Sequence, residues 1–480
     1  MEGRGPSLGA CFAGRRHRCF PQPSALSPQP RPNLTLQPKP PVPSVLFRPP
    51  SKALAWALYD WANSAFATVV IAGFFPVFFT QFWAQDLPDA QSTQWLGYTS
   101  SAASLILVLT APVLGALADQ LGAKKRFLLG FTLLGVLATA ALYWLGAGHW
   151  QAALLLYLAG LLGFFGGNIF NDALITDVAA PAQYERASSL AYALGYLGGG
   201  VLFAVNVAMV LSPGTFGFAD EGEAVRAAFL GVALWWAVFA LPLALVVPES
   251  RGLGRRSLRG AAVGAFHELA RTFRQIRRLP NTFLFLLAYW FYIDGVDTIM
   301  FMAVKYGLDL GFESSSLMVA LLITQFVGFP AALVFGRLGA RFGPKPAILV
   351  AIGVYVLVVL AATQMTRVEH FYALAATIGL VQGGIQALSR ALFAGLIPAG
   401  QTAELFGFYN MVGKFAAVLG PFLVGTTAAF AGDPRFSLLP ILLLFLLGAA
   451  LLWRVDVAGG RRDAAAVPPP PRGPLFADQA

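Results

Sequence analysis

The chain has 480 residues, 57% of them hydrophobic and only 12% charged, with a net charge of +10. A soluble domain carries about 25% charged residues, so a soluble globular fold is excluded. The basic excess is spread over many short loops, which argues against a nucleic-acid-binding face.

Residues 1–50 form a Pro- and Arg-rich tail expected to be disordered and polyproline-like, with a transit peptide or a start placed too far upstream as the alternatives. The tail lacks the apolar stretch of a signal peptide. Cys11 and Cys19, with His17 nearby, are too few for a zinc site, and no metal or cofactor is expected. Twelve apolar spans of about 20 residues follow, the length a helix needs to cross hydrocarbon. In residues 51–248 they start near Ala53, Trp95, Phe127, Gln151, Ala187 and Ala227. In residues 281–456 they start near Asn281, Ser315, Ala347, Phe371, Leu405 and Leu438. The linker 249–280 is basic. Its apolar residues Leu258, Ala262, Phe266, Leu269, Phe273 and Ile276 recur at helical steps, which predicts an amphipathic helix on anionic inner-leaflet lipids. A partner-binding helix is the alternative. Residues 457–480 are expected to be a second disordered tail.

Charge sets the orientation. Lys124, Lys125, Arg126, Arg186, the linker arginines, Arg337, Arg341, Lys345, Arg454 and Arg461 fall on one side of the spans. The opposite loops hold Arg226, Lys305, Arg367 and Arg435. The positive-inside rule therefore places both termini in the cytoplasm.

The chain repeats itself. Gly166, Gly167, Pro181 and Tyr192 recur at constant offset as Gly383, Gly384, Pro398 and Tyr409. Gly115, Leu117, Gly122 and Lys124 recur as Gly336, Leu338, Gly343 and Lys345. Two six-span halves in parallel repeat follow, an arrangement common in transporters with midplane sites. A charge at mid-membrane costs roughly 2.5–3.5 kcal/mol, so Asp60, Asp172, Asp294, Asp297, Arg390 and Lys414 need a partner, water or protein around them. Asp294 and Asp297 share a helix face. At an effective dielectric of about 20 their mutual repulsion approaches 3 kcal/mol.

The stretch Gly115-Ala-Leu-Ala-Asp119-Gln-Leu-Gly122-Ala-Lys124-Lys125-Arg126 resembles the loop between spans two and three of major facilitator transporters. Gln120 departs from the family's usual basic residue, and Ala340 stands where the second copy would carry the acid. More narrowly, Trp56-Ala-Leu-Tyr-Asp60-Trp-Ala-Asn63-Ser-Ala-Phe66 resembles the first helix of the autophagy-related vacuolar amino-acid effluxers and their bacterial relatives. The resemblance implies an all-α membrane protein of the major facilitator fold, with twelve transmembrane helices of which one, four, seven and ten line the cavity. It also implies that Gly115, Asp119, Gly122, Lys124, Lys125 and Arg126 form a gating loop, whose acid sits near the start of span eleven.

The expected function is transport of a small polar solute, with proton-coupled export or exchange of amino acids as the leading reading. Arg390 suits a carboxylate and an Asp an ammonium, with Asp60, Asn63, Asn168, Asn171, Gln382 and Gln386 as the further substrate contacts. Asp172, Asp294 and Asp297 are assigned to proton coupling, and Lys414 is a counter-ion. Efflux of amphipathic compounds or lipids, or a non-transporting sensor or scaffold, are the alternatives. No enzymatic constellation is visible. A monomer in a bacterial inner membrane, with no nucleic-acid partner, completes the expectation.

Overall fold

The computed structural model describes residues 51–249, 274, 276–431 and 438–467, all within one compact unit. The tail 1–50 and nearly all of the amphipathic linker stretch lie outside the described residues. Apolar sequence this long has no water to pair its backbone in a bilayer, so the chain closes its hydrogen bonds within helices.

The first helix, α1 (Ser51–Ala65), continues through π-helical turns at Phe66–Phe74 and Phe79–Trp83 to make one span, Lys52–Trp83. Pro76 sits in the short α-helical turn between them. It has no N–H to donate, and wider turns are one way a helix absorbs that loss. There follow α2 (Asp89–Leu121), α3 (Lys124–Ala141), α4 (Trp150–Val178), α5 (Tyr184–Leu211) and α6 (Glu221–Val246). The second half holds α7 (Pro280–Asp309), α8 (Ser314–Phe342), α9 (Pro344–Ala362), α10 (Val368–Leu396), α11 (Thr402–Ala431) and α12 (Ile441–Arg454), then α13 (Val457–Ala466).

Among the described residues, ten of these helices are long and apolar enough to cross a membrane. The other two expected spans are α11, a 30-residue helix, and α12, which has 14 residues and bends by 64° into α13. The helices follow the expected order, but among the described residues ten, or eleven with the bent α12–α13 pair, are long and apolar enough to span, short of the twelve expected. Most helices begin a few residues before the expected starts, because their first turns are polar and carry no hydropathy signal.

One boundary needs correction. The disordered tail expected from residue 457 does not include Val457–Ala466, which is helical, and residues 468–480 lie outside the described residues. Asp456 N donates to Asn281 Oδ1 at 2.9 Å, and Gly460 lies so close to Leu396 and Asn281 that a Cβ would come within 2.6 and 2.9 Å of them. The bend is therefore pinned against the start of α7 and the end of α10.

The repeat is visible in the turns. Gly122 and Gly343 follow α2 and α8 with φ of 62° and 89°, backbone that favours glycine. Just beyond, Lys125 Nζ donates to the carbonyls of Ala244 (3.2 Å) and Val247 (2.8 Å) at the end of α6. Lys345 Nζ does the same to Trp453 (2.7 Å) and Val455 (2.9 Å) at the end of α12. Each half thus ties its third helix to the C-terminal carbonyls of its sixth, where a cation is favoured.

The halves meet chiefly along α2 against α11 and α5 against α8. Large apolar side chains such as Leu155, Leu245 and Leu357 face outward, 67%, 81% and 64% exposed, as lipid contact requires.

Candidate functional site

Small residues let the helices converge. Gly383 and Gly384 of α10 lie against Tyr196 of α5 and Phe335 of α8, where a Cβ would come within 2.7 and 2.2 Å. The same helix carries Arg390, only 2% exposed. An arginine has five N–H donors, and here all five are used. Nε donates to Ser188 Oγ at 2.8 Å. Nη1 donates to Asp60 Oδ2 (3.2 Å) and Asp172 Oδ1 (3.0 Å). Nη2 donates to Asp60 Oδ2 (3.2 Å) and the Ser188 carbonyl (3.1 Å). The guanidinium also lies over the rings of Tyr192 (4.4 Å) and Trp56 (4.9 Å).

One side chain of the second half is therefore gripped by α1, α4 and α5 of the first. Asn171 Nδ2 donates to Asp60 Oδ1 at 2.6 Å, and Trp56 Nε1 holds the Asn171 carbonyl at 2.8 Å. From α11, Asn410 Nδ2 donates to Asp172 Oδ2 at 3.1 Å. Ser188 Oγ in turn donates to the Ala387 carbonyl of α10 at 2.7 Å. A single cation faces two carboxylates, so protonating either one would make this cluster neutral. Removing one partner from such a buried pair typically costs about 3–5 kcal/mol.

Two buried acceptors have no hydrogen-bond partner: Asn171 Oδ1, on the side chain that donates to Asp60, and Gln382 Oε1, about two helical turns from Arg390 on α10. Such orphans call for an explanation, of which an absent ligand is one. A void of about 10 Å³, room for one water, is lined by Asn410, Met411, Ala111 and Ile169.

The structure thus brings together Asp60, Asn171, Asp172 and Arg390 of the expected site. Asn63 lies on the next turn of α1 and donates to Asn168 Oδ1 at 2.5 Å, inside the first half. Gln382 is buried and Gln386 half-buried on α10. Asp294 is buried on α7, accepting from Thr298 Oγ1 at 3.4 Å, and Asp297 is half-buried. Both stand outside the set of acceptors that fills Arg390. The side chain of Lys414 lies outside the described residues. Ser188 had no place in the sequence reading, and Tyr192 entered only as a repeat landmark. Their spacing of four on α5 sets both on one face and was the available signal.

A second cluster closes the end of the bundle that carries the basic loops. Asp119 Oδ2 accepts from Glu404 N at 3.0 Å, in the first turn of α11. Lys124 Nζ reaches Asp119 Oδ1 (3.5 Å), Asp177 Oδ2 (3.1 Å) and Thr402 Oγ1 (2.5 Å). A Cβ on Gly115 would lie 2.3 Å from the Ala403 carbonyl, and one on Gly407 2.6 Å from that of Ala111. Here α2 and α11 touch backbone to backbone. The expected gating group therefore divides. Gly115, Asp119 and Lys124 bridge the halves. Lys125 and Arg126 hold Glu249 within the first half, Lys125 through its backbone N (2.8 Å) and Arg126 through Nε (3.6 Å). Across the bundle, where Ala340 replaces the acid, Arg461 of α13 pairs with Glu185 of α5 at 3.3 Å.

A family model described as "Vacuole effluxer Atg22 like" matches residues 89–465. The chain belongs to this family. The uncharacterized MFS-type transporter YxiO of Bacillus subtilis (strain 168) is 38% identical to it over 400 residues, 83% of this chain and 93% of that one. Autophagy-related protein 22-1 of Penicillium rubens is 27% identical over 307 residues, 59% of this chain and 51% of that one. The alignment thus spans about half the length of that fungal relative. Among solved structures, the human organic anion transporter MFSD10 and the proton:xylose symporter XylE each have a TM-score of 0.63. They are 17% and 16% identical, cover 84% of this chain, and match over 100% and 94% of their own lengths. The Atg22-like chain therefore has the major facilitator fold and is a multi-pass membrane transporter, not an enzyme.

Proposed function

We propose that the protein moves a small zwitterionic metabolite, of the amino-acid class, by proton-coupled alternating access, and that Arg390 is both substrate anchor and latch. The observation that carries this reading is the full occupancy of Arg390 by first-half acceptors. A substrate carboxylate can take the place of Asp60 or Asp172 on the guanidinium, while the vacated carboxylate, with Asn171 Oδ1, receives the ammonium. Either exchange, or protonation of one of the two acids, removes a tie between the halves and lets them rock apart. Asp294 and Asp297 are second candidates for the coupling proton.

With the basic loops cytoplasmic, the state described is sealed toward the cytoplasm at Asp119, Lys124 and Glu404. The cytoplasmic membrane, with both termini inside, is the proposed location. Export is favoured by the family's effluxer members. The test is uptake and exchange in proteoliposomes, screened over pooled amino acids with and without a pH gradient. Gradient-stimulated movement of a zwitterion supports the proposal. Movement of apolar compounds alone, or of no solute, overturns it.

A further inference from the structure

We propose that the cleft between the start of α9 and the α12–α13 bend binds the phosphate headgroup of an anionic phospholipid. The cleft encloses about 540 Å³ and is walled by Lys345, Trp453, Arg454, Asp456 and Arg461. Three cations face one acid, so its charge suits an anion. Lys345 Nζ spends two of its three donors on the Trp453 and Val455 carbonyls, which fixes the ammonium at the cleft wall with a third donor to give. Gly343 and Pro344 open α9 on one side, and Asp456 and Val457 open α13 on the other. Both helix N-termini add partial positive charge to the same space.

The setting favours a lipid over a soluble ion. Trp453 and Phe342, 72% and 61% exposed, stand at the rim beside outward-facing Leu443 and Leu446 of α12. Exposed aromatics at a helix end mark the level where hydrocarbon gives way to headgroups. The basic end faces the leaflet that is rich in anionic lipid. A phosphodiester held at the cleft leaves its acyl chains on the apolar flank of the bundle. Arg461 belongs to both the cleft and the inter-half pair with Glu185 (3.3 Å), so an occupied cleft adjoins one of the ties between the halves.

The probe is phosphatidylglycerol, added to the purified full-length chain in detergent and counted by native mass spectrometry against phosphatidylcholine. One saturable phosphatidylglycerol per chain is expected. Retention should fall about fivefold for each of Arg454→Gln and Arg461→Gln. Arg454 is exposed, so folding should survive its loss; Arg461 also ties Glu185, so Arg454→Gln is the variant that tests the cleft without touching that tie. Asp456→Asn should raise retention, a direction that structural damage does not produce. Equal retention of phosphatidylcholine, or unchanged phosphatidylglycerol in the double arginine variant, would overturn the proposal. So would complete displacement by inorganic phosphate at matching concentration, which would make the cleft a site for free anions.

Discussion

Arg390 has no spare donor in this state, and that sets what a substitution there does. Lysine offers three donors in place of five and no planar fork for two carboxylates and a hydroxyl. Arg390→Lys should therefore keep the positive charge yet reduce transport at least tenfold, measured as initial uptake in proteoliposomes. Wild-type rates in that variant would mean that charge alone matters and the five-bond grip does not. The acids can be told apart by the same assay. Asp172→Asn should abolish pH-gradient-driven uptake while leaving substrate exchange measurable. If only Asp294→Asn or Asp297→Asn does so, the proton travels on α7 and the Arg390 cluster is a substrate and latch site alone. At this scale the sequence was legible where a charge sat in an apolar span, since such a residue demands a reason. Asp60, Asp172 and Arg390 stood out for that cause. Ser188 did not, because a serine costs little in a helix, and Trp56 entered only as part of the first-helix motif, with no role of its own.

Two helix contacts decide whether the basic end can close. Gly115 meets the Ala403 backbone and Gly407 meets that of Ala111, so neither position has room for a side chain without separating α2 from α11. Gly115→Leu should wedge this end open while leaving helix formation intact. Its effect should be read as increased labelling of a cysteine placed at Thr402, alongside an unchanged circular dichroism spectrum. Asp119→Asn should act in the same direction more weakly, losing the charge but keeping an acceptor for Glu404 N. No change in labelling in either variant would remove the gate role from this loop. The elements themselves were nearly all written in the hydropathy pattern. What the pattern hid was α13, whose Val457–Ala466 sequence is polar and glycine-bearing and is held as a helix by contacts with Asn281, Leu396 and Glu185. Periodicity carries no trace of a helix stabilised by such distant partners. The π-helical turns of the first span were equally silent beyond the presence of Pro76.

The whole molecule is two repeats that share a plan and differ in their locks. Both use a glycine turn and a lysine that caps the sixth helix, yet one interface is held by Asp119 on α11 and the other by Arg461 on Glu185. The repeated Gly122 and Gly343 made the turn readable in the sequence, but the lysine paired there with Lys345 was Lys124, whereas Lys125 makes the equivalent cap. The substitution of Ala340 showed that the second lock is missing its acid; the acid used instead is Glu185 of α5, paired with Arg461 from α13, both far from Ala340 along the chain. Orientation is testable independently. Reporters fused after Lys125, within 251–278 and after Arg462 should all read cytoplasmic, and one within 86–94 external. A periplasmic signal from 251–278 would break the two-half arrangement.

The coupling of Arg390 to the state of the bundle is tested most directly by an inter-half distance. Spin labels at Leu121→Cys and Gln401→Cys, with Cys11 and Cys19 replaced by serine, report the α2–α11 gap by electron–electron double resonance. The wild type without substrate should show mainly the short distance of the closed basic end. Arg390→Gln should shift the population toward a longer distance, as should saturating substrate once the proteoliposome screen has named it. A distance distribution in Arg390→Gln identical to wild type would contradict the latch and leave Arg390 as a static support.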